Sequence, residues 1–370
     1  MKLTNKETNI DQKSIFDYPI NELEELLVQH DLKKFTATQI FEWLYRKRVY
    51  DFDQMTNLSK SGRAFLNEFF DANLLKTIIT QVSKDGTIKF LFELYDGAKI
   101  ETVLMLFEYG YSVCVTTQVG CNMGCTFCAS GILKKKRNLA TSEIVLQVYM
   151  AQLYLDQYAL KNENENNTFT NDVDKSRIRN IVVMGIGEPF DNIVNVSRFI
   201  DIVNHQKGLE ISKKKITVST CGLVNKFEEW TNLQPNVGLA ISLHASNDEV
   251  RSQIMPINRA FNIEKLLNAA RIYINKTNRR ITFEYIMLDG INDHNEHAYE
   301  LVELLKGMLC YVNLIPYNPV FENGYKRSKN ILNFANILQE NGIQTTTRFE
   351  RGSDIDAACG QLRAKEQGVL

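Results

Sequence analysis

The 370-residue chain has no apolar run near the roughly 18 residues of a membrane span, so a membrane protein is not expected. It has no excess of either charge, with 43 Lys and Arg against 44 Asp and Glu. Any nucleic-acid contact must therefore come from a local patch rather than from net charge. The start, Met1-Lys-Leu-Thr-Asn-Lys-Glu-Thr8, is polar and carries no apolar signal region, which argues against secretion. Seven cysteines, an odd number without a secretory signal, read as reactive or metal-binding thiols in a reducing cytoplasm. The length allows one large core and a smaller accessory unit.

Residues from about Ile20 to Phe70 read as helical, with Ile40, Phe41, Leu44 and Tyr45 on an apolar face. Trp43 and the basic run Arg46-Lys47-Arg48 lie beside it. Two β-rich runs, Lys89–Tyr95 and Lys99–Met105, flank Asp96-Gly97 and signal a β-hairpin. These features place a small N-terminal helical accessory domain at 1–96, the main core at 97–350 and a C-terminal segment at 351–370. After Tyr111 strand and helix patterns alternate, with strand candidates at 112–118, 180–184, 215–220, 237–243, 281–287 and 311–315. Ile144, Val148, Ala151 and Leu155 form a helical stripe after a Thr141 cap. This order predicts an α/β fold, an incomplete (βα)6 barrel whose functional residues lie at the C-terminal strand ends. The polar stretch 161–176 reads as an insertion loop.

The most informative residues are Cys121, Cys125 and Cys128 in Cys121-Asn-Met-Gly-Cys125-Thr-Phe-Cys128. A C-x3-C-x2-C triplet brings three soft thiolates onto one short loop, and Gly124 lets the loop wind tightly. Three thiolates suit a [4Fe–4S] cluster with one iron left open. A structural zinc site would want a fourth Cys or His at matching spacing, and the nearest His downstream is His205. Zinc and plain buried thiols remain the alternatives. The spacing resembles that of the radical S-adenosylmethionine (SAM) enzymes. There the open iron binds SAM and passes it one electron, and homolysis gives a 5′-deoxyadenosyl radical. The protein aligns cofactor and substrate and keeps water out.

The strand ends carry further candidates. Met184-Gly-Ile-Gly-Glu188-Pro189 follows the second strand, where two glycines allow close approach to the backbone and Glu188 can accept from an ammonium. Ser219 ends the third strand, Ser242, Leu243 and His244 the fourth, and Asn318 follows the sixth. Together they present hydrogen-bonding groups suited to SAM, although taken singly each is more often a local turn cap than a ligand. Cys221 and Cys310 read as buried structural thiols.

Over about Phe35 to Leu362 the chain resembles the bacterial dual-specificity adenine C2 methyltransferases of 23S ribosomal RNA and transfer RNA, a radical SAM family. The matching motifs include Ile100-Glu101-Thr-Val, Cys114-Val-Thr-Thr-Gln-Val-Gly-Cys121 and the triplet itself. They continue with Gly187-Glu188-Pro189, Ala240-Ile-Ser-Leu-His244, Met255-Pro-Ile-Asn258, Leu314-Ile-Pro-Tyr-Asn318 and Asp354-Ile-Asp-Ala-Ala-Cys-Gly-Gln-Leu362. A sister family that methylates adenine C8 shares the two extra cysteines but departs at Gly-Glu-Pro and Leu-Ile-Pro-Tyr-Asn. The resemblance implies two SAM molecules per turnover, one to methylate Cys359 and one to be cleaved at the cluster. Cys359 then bonds to C2 of the base through its methyl carbon. A carboxylate matching Glu101 takes the C2 proton, and Cys114 attacks the Cys359 sulfur to form a disulfide and free the RNA. It also implies a cytoplasmic monomer and an electron donor such as flavodoxin or ferredoxin.

Basic segments at Arg46–Arg48, Lys134–Arg137 and Lys213–Lys215 are candidates for RNA contact, each read equally as a solvated face. Two other functions remain in view. A radical SAM activase acting on a protein glycine would need no Cys114/Cys359 pair, and an iron–sulfur redox sensor that binds RNA would need no SAM contacts.

Overall fold

A computed structural model describes residues 12–131, 134–164, 176–318, 324–352, 354, 355 and 362, leaving out the side chains of 159–164. Two compact units result. One comprises Met1–Lys76, Leu139–Arg177 and Val194–Ser212, and the other Thr77–Asn138, Ile178–Ile193 and Lys213–Leu370.

The first unit is helical, as the apolar periodicity predicts. It holds α1 (Ile20–Gln29), α2 (Thr36–Phe41), α3 (Lys60–Phe69), α4 (Thr141–Asn164) and α5 (Ile193–Asn204), with a small parallel pair β1 (Lys13–Ser14) and β2 (Phe70–Asp71). Ser59 caps α3 by accepting the Gly62 N–H at 3.0 Å. Phe16, Tyr45 and Tyr149 pack edge-on or tilted in its core. Thr141 opens α4 as its first helical residue; the capping expected of it falls to Asp17, whose Oδ1 accepts the Ser142 N–H at 2.7 Å, while the Glu143 carboxylate takes the Ala140 N–H at 2.8 Å.

The second unit is built on one sheet of ten strands. Six run parallel in the order β6 (Gly110–Cys114), β9 (Ile178–Val183), β10 (Ile216–Thr220), β11 (Gly238–Ser242), β12 (Ile281–Met287) and β13 (Cys310–Pro316). Between β6 and β9 in sequence lie the short antiparallel pair β7 (Gln118–Val119) and β8 (Arg137–Asn138). These six strands match the six candidates, and the architecture is the expected incomplete barrel. A seventh parallel strand, β14 (Thr345–Thr347), pairs with β13. Helices α6 (Phe227–Leu233), α7 (Asp248–Ile254), α8 (Ile263–Thr277), α9 (Asn295–Leu305) and α10 (Ile331–Glu340) fill the later connections.

At the other edge the sheet continues antiparallel through β5 (Lys99–Phe107), β4 (Ile88–Glu93) and β3 (Lys76–Val82). The Asp96-Gly97 hairpin is therefore present, but it does not mark the limit of the accessory unit. Its strands are hydrogen-bonded into the same sheet as the core, and the compact units part after Lys76 rather than at 96/97. Most of 351–370 lies outside the described residues.

Candidate active site

The cysteine loop leaves the C-terminal end of β6, the position where an α/β barrel carries its chemistry. Gly124 takes φ +68°, a left-handed turn that glycine adopts freely. Cys128 N–H donates to the Cys125 carbonyl at 3.2 Å, closing the second half of the loop. Thr126 N–H reaches across to the Ile254 carbonyl at 3.0 Å, and its hydroxyl bonds the Tyr325 hydroxyl at 2.8 Å. Burial pushes the Cys121 thiol up to about 11 and raises Cys125 further, and neighbouring thiols add to both shifts. Thiols crowded this way hold their protons until a cation offsets the charge. Among the described residues, no three His, Cys, Asp or Glu side chains are drawn onto one metal-ion position. The donor set nevertheless fits a [4Fe–4S] group, because each thiolate then binds a different iron and the sulfurs need not converge on one point.

Beside this loop stands the segment after β9. Glu188 is buried, with Oε1 accepting the Phe190 N–H at 3.0 Å and Oε2 the Cys221 N–H at 2.7 Å. Burial raises its carboxyl. Pro189 starts the short turn that follows. The glycines here serve the protein's own packing. A Cβ on Gly185 would lie 2.7 Å from the Val115 carbonyl oxygen, and one on Gly187 2.7 Å from Gln118 Cβ. The close approach foreseen for a ligand is made instead by the chain that leads into the cysteine loop. Gln118 completes the stitch, accepting the Glu188 N–H and donating to Asp191, which also binds Lys135 at 2.7 Å.

The remaining strand-end candidates occupy the same rim. Ser219 lies on β10 and Ser242 on β11, both partly exposed; Leu243 is buried, and Asn318 is exposed after β13. His244 takes a left-handed φ of +58°, and its Nδ1 accepts the Ile286 N–H at 3.0 Å. Burial, aided by the charge of Arg251, lowers its pKa to about 3, so the ring is neutral and Nε2 carries the proton. The ring stands edge-on to Phe127, 4.9 Å between centroids.

Glu101 and Cys114 fall on one face of the antiparallel extension. Val103 pairs with Cys114 across β5 and β6, and Glu101 is two residues from Val103 along the same strand. Cys114 sits with Val103 and Met105 in an apolar cluster that Phe107, Val182 and Met184 complete. Glu101 is paired with Lys89 at 2.9 Å, both side chains almost wholly buried. Cys359 lies outside the described residues. The chain just before it is anchored to the turn between β3 and β4: Gly352 N–H donates to Asp85 at 2.8 Å, and Asp354 accepts from the Ser83 hydroxyl and the Lys84 N–H. Arg351 lies over the Phe107 ring, 4.3 Å from its centroid.

Sequence reasoning missed Lys89, Arg251, Glu284 and Asn313. Glu284 on β12 is buried and accepts from Asn313 at 2.8 Å on the next strand. A charged residue in the middle of an apolar strand was the available signal for Lys89 and Glu284. The basic segments are largely neutralised locally. Arg48 pairs with Asp156 at 2.6 Å, Lys47 covers the Trp43 ring, and Arg137 pairs with Asp96 at 2.8 Å. Lys214 instead shares an open groove with Arg279 and Arg280 at the N-terminal ends of β10 to β12.

Comparison with known proteins agrees with this geometry. Residues 13–71 match the ribosomal RNA large subunit methyltransferase N-terminal domain, and residues 115–302 match the radical SAM superfamily. The chain is 55% identical to the probable dual-specificity RNA methyltransferase RlmN of Spiroplasma citri over 357 residues, 96% of this chain and 99% of that one. It is 50% identical to the protein of the same name from Bacillus subtilis (strain 168), over 98% of this chain and 96% of that one. The crystal structure of a radical SAM methyltransferase from Sphaerobacter thermophilus superposes with a TM-score of 0.83 at 41% identity, covering 94% of this chain and 98% of that one. From its helical N-terminal unit to its cysteine loop, the chain belongs to the RlmN family of dual-specificity RNA methyltransferases, within the radical SAM superfamily.

Proposed function

We propose that this enzyme methylates C2 of an adenosine in 23S ribosomal RNA and in certain transfer RNAs, through an S-methylated Cys359 and a covalent protein–RNA adduct. The observation that carries the reading is the Cys121–Cys128 loop, which follows β6, the strand that ends in Cys114 and shares a face with Glu101 on β5. The dual-specificity name of its relatives supports two classes of RNA, and the N-terminal match supports ribosomal RNA as one of them.

A [4Fe–4S] cluster on Cys121, Cys125 and Cys128 would supply SAM with one electron, so that of two SAM molecules per turnover one gives a methyl group and the other a hydrogen-abstracting radical. Glu188, Pro189, Ser219, Ser242, Leu243, His244 and Asn318 line the rim on which SAM would be held. Cys359 takes the methyl group as a thiolate. Having lost one hydrogen atom from that methyl, it bonds through the methylene carbon to C2 of the adenine, and the unpaired electron left on the ring would return to the cluster. The Glu101 carboxylate, held by Lys89, removes the C2 proton. Cys114 then attacks the Cys359 sulfur, forming an S–S bond as the S–CH2 bond breaks, and the released carbon takes up a proton to become the methyl group of the freed base. The anchor at Gly352 and Asp354 supports this pairing, because it fixes the chain five residues before Cys359 on the sheet extension that carries Cys114. The adenine edge must be splayed out of its helix to be reached.

We assign the reaction to a monomer in the cytoplasm, with flavodoxin or ferredoxin as electron donor. No helix among the described residues is long and apolar enough to cross a membrane. The test is chromatography of nucleosides from ribosomal and transfer RNA of cells with and without the gene. A gene-dependent 2-methyladenosine is expected. A product that co-elutes with 8-methyladenosine would move the chain to the C8 chemistry.

A further inference from the structure

Arg251, in α7, is the most heavily bonded side chain of the second unit, and nothing in the reaction just described uses it. It is fully buried. Its Nε donates to the Leu243 carbonyl at 3.1 Å. One terminal nitrogen donates to Asn258 Oδ1 at 2.9 Å and to the Phe261 carbonyl at 3.4 Å. The other donates to the Cys221 carbonyl at 2.9 Å and the Ser242 carbonyl at 3.3 Å. A guanidinium has five N–H donors, and each has an acceptor here.

Three of those acceptors, Cys221, Ser242 and Leu243, are the backbone at the ends of β10 and β11, where the candidate SAM contacts lie. The helix that carries Arg251 is tied in turn to the cysteine loop. Its last residue, Ile254, offers the carbonyl that takes the Thr126 N–H at 3.0 Å, between Cys125 and Cys128. Met255 N–H closes back on the Arg251 carbonyl at 2.7 Å. Rim and loop thus meet at one short helix, the rim through the Arg251 side chain and the loop through the Ile254 carbonyl. The bonds also single Arg251 out in charge: all five acceptors are neutral oxygens, and a fully buried cation without a carboxylate among its hydrogen-bond partners is costly for a scaffold alone. Cys221, Cys125 and Asp248 are the titratable groups that act on it.

We infer that Arg251 is a positioning residue, which locks the SAM-bearing strand ends of β10 and β11 to the cluster-bearing loop so that SAM and its electron source share one geometry. The inference rests on reading residues 121–128 as a cluster loop. Asn258 is its outer support, because its Nδ2 donates to Asp248 and Ser252 while its Oδ1 holds the fork from the side away from the rim.

The test compares the wild-type protein, Arg251→Lys and Asn258→Ala after anaerobic reconstitution. Iron and sulfide are counted, SAM affinity is measured by equilibrium dialysis, and the electron paramagnetic resonance spectrum of the reduced protein is recorded with and without SAM. Arg251→Lys keeps the charge but has three donors for five acceptors. It should hold the wild-type amount of iron, bind SAM about tenfold or more weakly, as is usual when a residue behind a metal site is lost, and show a smaller SAM-induced spectral change. Asn258→Ala should weaken SAM about two- to threefold, since one of the five bonds is lost. A merely structural Arg251 would lower the melting temperature of both variants and leave SAM affinity per cluster unchanged, and that result overturns the inference. Should Arg251→Lys fail to fold, an unchanged SAM affinity in iron-replete Asn258→Ala overturns it equally. Wild-type protein that takes up no iron would instead refute the cluster reading, and this inference with it.

Discussion

The Lys89–Glu101 pair offers the most direct check on how the extension of the sheet supports the chemistry. The two side chains are 0% and 3% exposed and meet at 2.9 Å, on adjacent strands of the β4–β5 hairpin. Removing one partner of such a pair strands the other as a buried, uncompensated charge, which costs roughly 3–5 kcal/mol. Lys89→Met should therefore lower the melting temperature of the unit by roughly 6–20 °C, at about 2–4 °C per kcal/mol for 150–250 residues. Glu101→Gln should cost a comparable amount. The double variant Lys89→Met/Glu101→Leu should recover most of the loss, because neither charge is then buried, giving a coupling above about 1 kcal/mol. Denaturant titration of the four proteins measures the cycle. The single variants also separate structure from chemistry: Glu101→Gln should still cleave SAM and capture RNA, yet hold it as a denaturation-resistant adduct because the C2 proton has no acceptor. A Lys89→Met cost below about 1 kcal/mol, the value of a surface pair, would refute the picture of a desolvated pair that orients the carboxylate.

Three other outcomes follow from the site. Cys121→Ala, Cys125→Ala and Cys128→Ala should each lose the iron–sulfur absorbance and all SAM cleavage, as read by iron counting and 5′-deoxyadenosine assay after reconstitution. Purified Cys114→Ala should carry covalently attached RNA that nuclease removes, while Cys359→Ala and the double variant should be free of it; RNA on Cys359→Ala would overturn the assigned roles. Gly185→Ala should destabilise the protein by about 1–3 kcal/mol in denaturant titration, because its Cβ would press the Val115 carbonyl at 2.7 Å and backbone cannot swing aside as a flexible side chain can.

The parallel strands were legible because each is an apolar or alternating run bounded by turn residues; five of the six lie within two residues of the pattern, while the first, foreseen at 112–118, runs over Gly110–Cys114. Thr345–Thr347 escaped because three threonines carry no apolar signal. The compact units part after Lys76 and not at 96/97 for a different reason. A hairpin signal reports a turn, and nothing local tells whether the strands beside it join a neighbouring sheet. The cysteine loop and the strand-end residues were legible from spacing and resemblance. Arg251 was not, because a charged residue in a short helix reads as solvated until its partners are known, and for Lys89 and Glu284 the charge within a strand marked the residue but not its partner. Glu188 shows the limit of a motif: its place was evident, but not that both carboxylate oxygens bind the protein's own backbone.

The meeting of parallel and antiparallel strands at β6 divides the labour of the second unit. On the function proposed above, the rim from β9 to β13 is where SAM would be held. Glu101, Lys89 and Cys114 lie instead on β4, β5 and β6, and the anchor for the chain before Cys359 lies on the turn between β3 and β4. The two residues assigned above to proton removal and product release, with the lysine that holds one of them, thus lie between Lys76 and Cys114 at one margin of the sheet. On that reading, exchange of the stretch between relatives would alter how the base is deprotonated and the product let go, while the strand ends that hold SAM are left in place.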